Sequence, residues 1–431
     1  MTTRTSRDAR SLIVVSRDYG ELGFATSFLR GQAFASRAAI MLPDNLFASN
    51  TTSFLRGPGF ASQAATVLPG DLSADNGASP TIPAFQFRTL RDILDLVNTH
   101  KPDLVFLFSG YLLSNQRGVL SPESLDALLR YLRERGCRVI TSDPFLGLAP
   151  QLTLAQIDTR MLTSGQTLWE RWRMRLVLRL QGPRTKVVGV RSLEDVTHLY
   201  PTSIPPRGGN VPMVSFFNPN IVRAAAELRA ARDALLQADA DKLPPRWLFV
   251  VSSTDLECQH RLVGRRKFRG KVLRLLWHAL AAGRRPTLIA PASILDGLSS
   301  KVPDLVELLS SCPLAEFEER LLEAEYVFYW NAFSFSQLSR LANELPVFLF
   351  DRGHLARTVK PYYEIARSCH YGAWEPPYLD QTHPFDLREL AELAARQKPA
   401  MRMIRERWQS SPTPDQLVDQ LMGTGVKPAP A

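Results

Sequence analysis

Residues 326–354 read YVFYWNAFSFSQLSRLANELPVFLFDRGH and contain one complete structural unit. An apolar run of strand length opens the stretch, and a polar turn leads into a segment with apolar residues at helical spacing. Pro346 ends the predicted helix, and a second apolar run follows it. The order strand, turn, helix, strand predicts a parallel βαβ unit. Its polar loops then lie at the carboxyl ends of the strands, where open α/β sheets bind their ligands.

The second half of this stretch carries a family-like pattern. Residues 338–347 read LSRLANELPV, and 351–353, after the second strand, read DRG. The pattern resembles the nucleotide-sugar segment of GT-B-fold glycosyltransferases, in which a Glu-Ala-x-Ala-x-Gly-x-Pro-Val run precedes an Asp-x-Gly loop. The resemblance implies an α/β protein of two Rossmann-like domains facing a cleft, a GT-B-like arrangement, with C-terminal helices.

The chain departs from the family pattern at Glu344, where a Gly is usual, and at both positions of the glutamate pair of the retaining families. Those families carry a pair of glutamates, and the aligned positions here hold Asn331 and Ser339. The ribose-binding carboxylate is therefore absent from its usual place. The departure favours inversion over retention, and it also supports a rival interpretation in which the protein binds a nucleotide or sugar without chemistry.

Composition places the chain among folded proteins of more than one domain. It has 431 residues, of which 45% are hydrophobic and 22% are charged, so it can bury large cores. The formal net charge of +10 favours anionic partners such as nucleotide phosphates, acidic lipid or nucleic acid. Its 4 cysteines are far apart, which argues against a disulfide framework and a zinc site. We find no long apolar run and no signal-peptide core, so we expect a cytoplasmic protein.

Alternating strand and helix signals divide the chain into two α/β halves. We predict an N-terminal Rossmann-like acceptor domain at 1–205, a Pro- and Gly-rich linker at 206–220, a C-terminal Rossmann-like nucleotide-sugar domain at 221–380, and helices with a tail at 381–431. Within the first domain, 26–76 holds a tandem duplication, because 26–50 aligns without gaps to 52–76. Two copies without a third indicate a local duplication rather than a solenoid. We expect one copy in the sheet and one outside it, and the sequence leaves open which.

The donor-binding candidates of the second domain are polar or basic residues in loops that follow predicted strands. They are Ser252, Ser253, Arg265, Arg266, Lys267, Ser334, Ser336, Gln337, Asp351 and Arg352. The basic turn at 265–267 is suited to neutralising a leaving diphosphate without a metal ion, and its alternatives are a solvated surface turn or a contact to anionic lipid. The hydroxyls at 334 and 336 either hold the diphosphate together with backbone N–H groups or only cap a helix.

Asp18 and Glu21 are the catalytic candidates, because they lie in the turn between the first predicted strand and helix. An inverting transferase needs a carboxylate or a histidine to accept the proton of the acceptor hydroxyl. Asp18 is the first choice and Glu21 the second, with Asp143 and His198 as rivals near other strand ends. The alternative for Asp18 is helix capping or pairing with Arg17. No Asp-x-Asp triplet follows a predicted strand, so no metal site is predicted.

These features predict a glycosyltransferase that moves a sugar from a nucleotide-sugar donor to a glycan or lipid-linked acceptor, as in polysaccharide biosynthesis. We expect it to need no metal or other cofactor. Peripheral contact with the inner face of a membrane is left open, because 167–180 predict a basic amphipathic helix that either packs on the core or lies on an anionic bilayer. One rival is a non-catalytic nucleotide- or sugar-binding protein. A second rival, a nucleic-acid-binding protein, is suggested by the charge but lacks a recognition motif, so the leading interpretation has no nucleic acid partner.

Overall fold

The computed structural model describes residues 9–44, 46, 82–114, 118–148, 152–158, 176, 191–201, 213–223, 226, 230, 244–310 and 312–423. The chain divides into two compact units. Unit 1 comprises Met1–Gln151, Val188–Glu227 and Glu406–Ala431, and unit 2 comprises Leu152–Val187 and Leu228–Arg405. The fold class predicted from the sequence is confirmed, because each unit is an open parallel sheet with helices.

Unit 1 is built on a seven-stranded parallel sheet with the order β3-β2-β1-β4-β5-β6-β7. The strands are β1 Ser11–Val15, β2 Ala38–Pro43, β3 Ala84–Phe87, β4 Leu104–Phe108, β5 Arg138–Ser142, β6 Thr197–Tyr200 and β7 Met213–Ser215. The central strands β1 and β4 read SLIVV and LVFLF, and all of their residues are buried. Continuous apolar runs of this kind are typical of parallel strands that are covered on both faces.

Three of the following four helices of unit 1 begin at a residue whose side chain caps the helix. The four are α1 Tyr19–Leu29, α2 Leu90–His100, the short α3 Gly110–Leu113 and α4 Pro122–Glu134, with 3₁₀ turns at Ala33–Arg37 and Arg191–Leu193. Thr89 and Asp92 form a capping box on α2, and Ser121 caps α4 with Pro122 at its first position. These caps satisfy N–H groups that the first turn of a helix leaves without intrahelical partners.

Unit 2 is built on a five-stranded parallel sheet with the order β10-β9-β8-β11-β12. The strands are β8 Arg246–Val250, β9 Arg285–Ile289, β10 Glu307–Leu309, β11 Tyr326–Tyr329 and β12 Val347–Leu349. The helices are α5 Ser253–Val263, α6 Arg265–Ala281, α7 Ala292–Leu295, α8 Leu314–Glu323, α9 Phe335–Ala342, α10 Gly353–Thr358 and α11 Tyr362–Tyr371, with 3₁₀ turns at Leu154–Gln156 and Ser299–Lys301. The βαβ unit predicted from 326–354 is therefore β11, α9 and β12, as parallel neighbours.

The C-terminal part of the chain corrects the predicted domain layout. Helix α12, Leu387–Gln409, begins in unit 2 and ends in unit 1, and α13, Pro414–Gly423, belongs to unit 1. Trp408 Nε1 donates to the Phe216 carbonyl at 2.9 Å, and the rings of Phe217 and Trp408 meet edge to face with centroids 5.5 Å apart. Because these apolar groups are buried against one another, 406–423 is an integral part of the first unit.

Two further stretches differ from the predicted bounds. Strand β7 lies inside the predicted linker at 206–220 and pairs with β6, so part of that Pro- and Gly-rich segment completes the first sheet. Residues 152–158, predicted in the first domain, belong to unit 2, where the Asp158 N–H donates to the Thr358 carbonyl at 2.7 Å. Both differences come from long-range hydrogen bonds that no local sequence signal reveals.

The first copy of the duplication is built into the sheet. Its β2 pairs with β1 on one side and β3 on the other. Residues 52–76 of the second copy lie outside the described residues, as do the predicted amphipathic helix at 167–180, apart from Leu176, and the tail beyond 423. In the part of the chain that the structure describes, no helix has the length and apolar character to cross a bilayer.

Each sheet has one point where the strand order reverses. In unit 1 the reversal lies between β1 and β4, and in unit 2 it lies between β8 and β11. Loops that leave neighbouring strands at such a point run in opposite directions and open a crevice at the carboxyl ends, where open α/β sheets bind ligands. These two reversal points are therefore the expected ligand-binding positions of the two sheets.

Candidate active-site residues

Glu21 is a buried carboxyl group at the carboxyl edge of the first sheet. It lies in the first turn of α1, directly after β1, and only 8% of the residue is exposed. The Ser142 hydroxyl at the end of β5 donates a hydrogen bond to Glu21 Oε2. Burial raises the pKa of Glu21 to about 8, and the nearby charges of Asp18 and Asp143 add to that rise. A buried carboxyl group with a pKa near neutrality is suited to accepting or donating a proton.

Asp18 caps helix α1. Its side chain accepts the Gly20 N–H at 2.7 Å, as expected for an aspartate at the N-cap position. Desolvation raises the pKa of Asp18, but the residue as a whole is exposed, so water will weaken that shift. The capping role that the sequence offers as an alternative is thus the one that the geometry shows, and Glu21 is the better placed of the two predicted residues for proton transfer.

Asp143, a rival in the sequence analysis, is held in a fixed position after β5. Its carboxylate accepts the N–H groups of Phe145 and Gly147 at 2.8 and 2.6 Å, and the Tyr200 hydroxyl donates to it at 3.3 Å. Burial raises its pKa, although the positive charge of a protonated His198 opposes the rise. With both oxygens in use, Asp143 is better suited to shaping its loop and raising the pKa of Glu21 than to taking a proton itself.

His198, the other rival, belongs to a buried polar network with two tyrosines. Its Nε2 lies 3.1 Å from the Tyr111 hydroxyl and 3.2 Å from the Leu193 carbonyl, and its Nδ1 lies 3.5 Å from the Tyr200 hydroxyl. Because a carbonyl only accepts, Nε2 carries the proton in the neutral ring. Burial lowers the pKa of His198, which favours that neutral form. No part of the ring is exposed, so it does not contact solvent at this edge.

The carboxyl edge of the second sheet carries a polar network across its reversal point. Asp255, in the first turn of α5, accepts Asn331 Nδ2 at 2.7 Å and the His354 N–H at 3.2 Å. Ser252 caps the same helix and donates to Asp255 at 2.6 Å. Asp255 thus joins the loops after β8, β11 and β12, and burial raises its pKa. Ser252 and Ser253 themselves are exposed at this edge.

Gly353 lets two of these loops approach closely. Its φ is +85°, and an added Cβ would lie 2.4 Å from the Asn331 Cβ and 2.7 Å from the Asn331 Cα. A residue with a side chain would therefore be strained at this position and would push the loop after β12 away from the loop after β11. The glycine of the DRG sequence is explained by this contact.

The predicted residues at the start of α9 form a chain of short hydrogen bonds. Ser334 caps the helix, and its hydroxyl lies 2.7 Å from the Ser336 hydroxyl, which accepts the Tyr329 hydroxyl at 3.1 Å. Gln337 is buried, and its Nε2 donates to the Asn331 carbonyl at 2.8 Å. Tyr371 in turn donates to Gln337 Oε1 at 2.8 Å. Ser334 and Ser336 are half-buried and remain donor-binding candidates, whereas the buried Gln337 holds the loop after β11 in place through its hydrogen bond to Asn331.

Asp351 and Arg352 are both engaged within unit 2. The Asp351 carboxylate is buried, receives two hydrogen bonds from Arg357 at 2.8 and 2.7 Å, and accepts the Gly353 N–H at 2.9 Å. The Arg352 guanidinium lies over the Tyr363 ring, 4.0 Å from its centroid, and the residue is exposed. Of the two, Arg352 is the one that a solvent-borne ligand would meet.

Arg265, Arg266 and Lys267 form the exposed first turn of α6. The next residue, Phe268, is buried and meets the Trp330 ring edge to face with centroids 5.7 Å apart. Trp330 directly follows β11, so this basic turn begins its helix on the side of the sheet where the strands end. Within the described part of the chain, no group of three His, Cys, Asp or Glu residues is arranged to hold a metal ion.

Sequence reasoning missed the partners of the perturbed carboxyl groups. The sequence-based candidates do not include Ser142, Tyr111 and Tyr200 of unit 1. Ser142 does have a sequence signal, because it belongs to a polar Thr-Ser-Asp triplet at the end of the apolar strand β5. Asn331 was noted only as a departure from a family pattern. Its amide reaches a carboxylate in another loop, which is a contact that residue spacing cannot show.

The chain is similar to solved structures of glycosyltransferases, the class that its sequence resembles. The kitacinnamycin glycotransferase has a TM-score of 0.49 at 11% identity, with 95% of this chain and 97% of that chain covered. The calicheamicin glycosyltransferase CalG4 has a TM-score of 0.46 at 13% identity, with 96% and 97% covered. The UDP-GlcNAc 2-epimerase of Methanocaldococcus jannaschii, in complex with UDP-GlcNAc and UDP, has a TM-score of 0.44 at 11% identity, with 95% and 98% covered.

These likenesses are distant and say nothing of the chemistry of this chain. No protein-family model matches the chain, and no curated protein sequence does so either.

Proposed function

We propose that the protein is a glycosyltransferase that moves a sugar from a nucleotide-sugar donor to a glycan or lipid-linked acceptor. One observation carries the proposal: both sheets place polar groups where their strand order reverses. Unit 1 offers a buried acid/base group there, and unit 2 offers hydroxyls at the starts of two helices. A two-substrate transfer needs both kinds of site, one to deprotonate an acceptor and one to hold an anionic leaving group.

Unit 1 supplies the base in this proposal, and Glu21 is the group assigned to it. The ionised Glu21 carboxylate accepts the proton of an acceptor hydroxyl while that oxygen bonds to the anomeric carbon of the donor sugar. The bond from that carbon to the diphosphate breaks, and the nucleoside diphosphate leaves with the electron pair. A carboxylate whose conjugate acid has a pKa of about 8 is a stronger base than an ordinary glutamate.

Unit 2 holds the donor in this proposal. The N-terminal turn of α9 and the exposed Ser252 and Ser253 at the start of α5 provide hydroxyl and backbone N–H donors of the kind that bind phosphate. Negative charge grows on the diphosphate as it leaves, and cationic side chains stabilise that charge. Arg265 and Arg266 are assigned this role, which dispenses with a metal ion.

Ligand binding is tested by thermal shift with UDP, GDP, CDP, ADP and dTDP and their sugars. A ligand that binds the folded state raises its apparent stability by mass action, and one nucleotide should stand out. Arg265→Ala with Arg266→Ala should abolish that shift. The matched control removes two other exposed arginines of unit 2, Arg388 and Arg396, and should leave the shift intact. An unchanged shift in the first variant would remove the basic turn from the donor site.

Catalysis is tested by release of free nucleotide in the presence of candidate acceptors. Glu21→Gln should reduce kcat by about 10²–10⁴-fold, the usual contribution of a general base, and should leave the nucleotide shift unchanged. A wild-type protein that binds a sugar nucleotide but releases nothing with any acceptor would favour the non-catalytic binding protein. Full activity in Glu21→Gln would remove this residue as the base.

A further inference from the structure

Helix α6 carries an unusual concentration of positive charge. Its sequence, RRKFRGKVLRLLWHALA, contains six Lys and Arg residues and no Asp or Glu. Its other face is the structural one: a row of buried apolar residues packs into the core of unit 2, namely Phe268, Val272, Leu275, Leu276 and Ala279. The helix is therefore fixed in place by its apolar face, and its charges are not needed for that packing.

The exposed face of α6 is both basic and apolar. Lys267, Lys271, Arg274 and Trp277 fall on one side of the helix at spacings of three, four and seven residues, and all but the half-buried Lys271 are exposed. Trp277 is 48% exposed, and Leu262, in the last turn of the preceding helix α5, is 43% exposed. Exposing this much tryptophan surface to water is unfavourable, so the face is suited to a partner that covers the ring.

Among the described residues, no acidic side chain pairs with the cations of this face. In the part of the chain that the structure describes, Lys267, Lys271 and Arg274 make no ion pair, while Arg266 of the first turn keeps the donor-binding role assigned above. Other basic residues of unit 2 do pair, as Arg320 does with Glu316 and Glu307. A stripe of unpaired positive charge attracts a surface of negative charge.

We propose that the exposed face of α6, with Leu262 beside it, docks on the surface of an anionic lipid bilayer. Lys and Arg residues near such a surface each favour binding, and tryptophan prefers the boundary between headgroups and acyl chains. The exposed aliphatic Leu262 fits a bilayer better than a nucleic acid, which offers stacking planes and phosphates but no acyl layer. The site lies on a different face of the helix from the core contacts, so docking requires no rearrangement of unit 2.

The test uses the full chain and sedimentation with vesicles of phosphatidylcholine, with or without phosphatidylglycerol. Binding should need the anionic lipid and should weaken as salt rises. Lys271→Glu with Arg274→Glu should weaken vesicle binding by about 25-fold or more, since each cation near the surface is worth about fivefold. Trp277→Ala should weaken binding at low and high salt alike, because its contribution is not a charge interaction. The control, Arg388→Glu with Arg396→Glu, has the same net charge change and should bind nearly as wild type does.

Three results would overturn the proposal. One is equal binding to vesicles with and without phosphatidylglycerol, or no binding to either of them. Another is an equal loss in the α6 and control variants, which would mean that only net charge matters. The third is tighter binding to RNA or DNA than to anionic vesicles, with displacement from the vesicles by the nucleic acid. Melting temperatures close to that of the wild type would show that the variants are folded, as expected for positions outside the buried core.

Discussion

Replacing Glu21 with glutamine should change how the stability of the protein depends on pH. The substitution keeps the size of the side chain and an oxygen that can accept the Ser142 hydroxyl, but it removes the ionisable group. In the folded protein the pKa of Glu21 is about 8, against 4.5 for an ordinary glutamate. The neutral carboxyl group is therefore favoured in the folded state, and ionisation above pH 4.5 favours unfolding.

The magnitude follows from the size of the shift. Each pKa unit corresponds to about 1.4 kcal/mol, so the rise from 4.5 to about 8 costs the wild type about 5 kcal/mol above pH 8. At pH 7 the cost is about 3 kcal/mol, and below pH 4.5 it vanishes. The stability contributed by the neutral group is thus complete at low pH and is lost as pH rises through 8. Glu21→Gln should be close to the wild type near pH 4.5 and more stable by these amounts at higher pH.

Urea denaturation of both proteins at several values between pH 4.5 and 9 measures the difference. If the two units unfold in separate steps, the difference belongs to the step of unit 1. Glu134→Gln, at an exposed position at the end of α4, is the matched control for the change of a carboxyl group to an amide. A constant difference between wild type and Glu21→Gln across the range would refute the reasoning, because Glu21 would then titrate alike in the folded and unfolded states.

Two other substitutions test the packing of unit 2. Gly353→Ala should lower the free energy of unfolding by about 3 kcal/mol, because it combines an unfavourable φ with a Cβ that would lie 2.4 Å from the Asn331 Cβ. The control, Gly270→Ala, lies inside α6 with open space around it and should raise the free energy of unfolding by up to about 1 kcal/mol. If both changes had the same effect in chemical denaturation, the close contact would be wrong. Arg340→Leu should lower the free energy of unfolding by about 3–5 kcal/mol, because the buried guanidinium donates hydrogen bonds to the carbonyls of residues 321, 324, 325 and 346. A loss of less than about 0.5 kcal/mol, which is typical of an exposed substitution, would contradict those hydrogen bonds.

Much of the fold could be predicted because its signals are local. The apolar runs of β1, β4, β8 and β11 and the Pro after α9 appear in the sequence in the order in which the structure uses them. The positions of Glu21 and Ser252 just after strands could be predicted for the same reason. Parallel βαβ units place such residues at the carboxyl edge whatever the rest of the chain does.

The choice between candidates at those edges was not local. Asp18 and Glu21 both carry carboxyl groups in one turn, and the sequence does not show which of them is buried. Only the packed structure shows that Asp18 caps a helix in contact with solvent, whereas Glu21 is buried against Ser142. The sequence likewise predicts Asp351 as a ligand for a nucleotide, yet both of its carboxylate oxygens accept hydrogen bonds from Arg357, six residues away. Burial and hydrogen bonding decide the pKa and the availability of a carboxylate, and both depend on distant parts of the chain.

The sequence by itself therefore determined that this is an α/β chain with two parallel sheets, because strand and helix formation follow from side-chain periodicity over a few residues. Only the tertiary structure decided that residues 406–423 complete the first unit, that the first copy of the duplication supplies β2, and that Glu21 has a raised pKa. The physical reason is that these features arise from contacts between residues far apart in the chain. The energies of such contacts depend on which surfaces are buried together rather than on local preference.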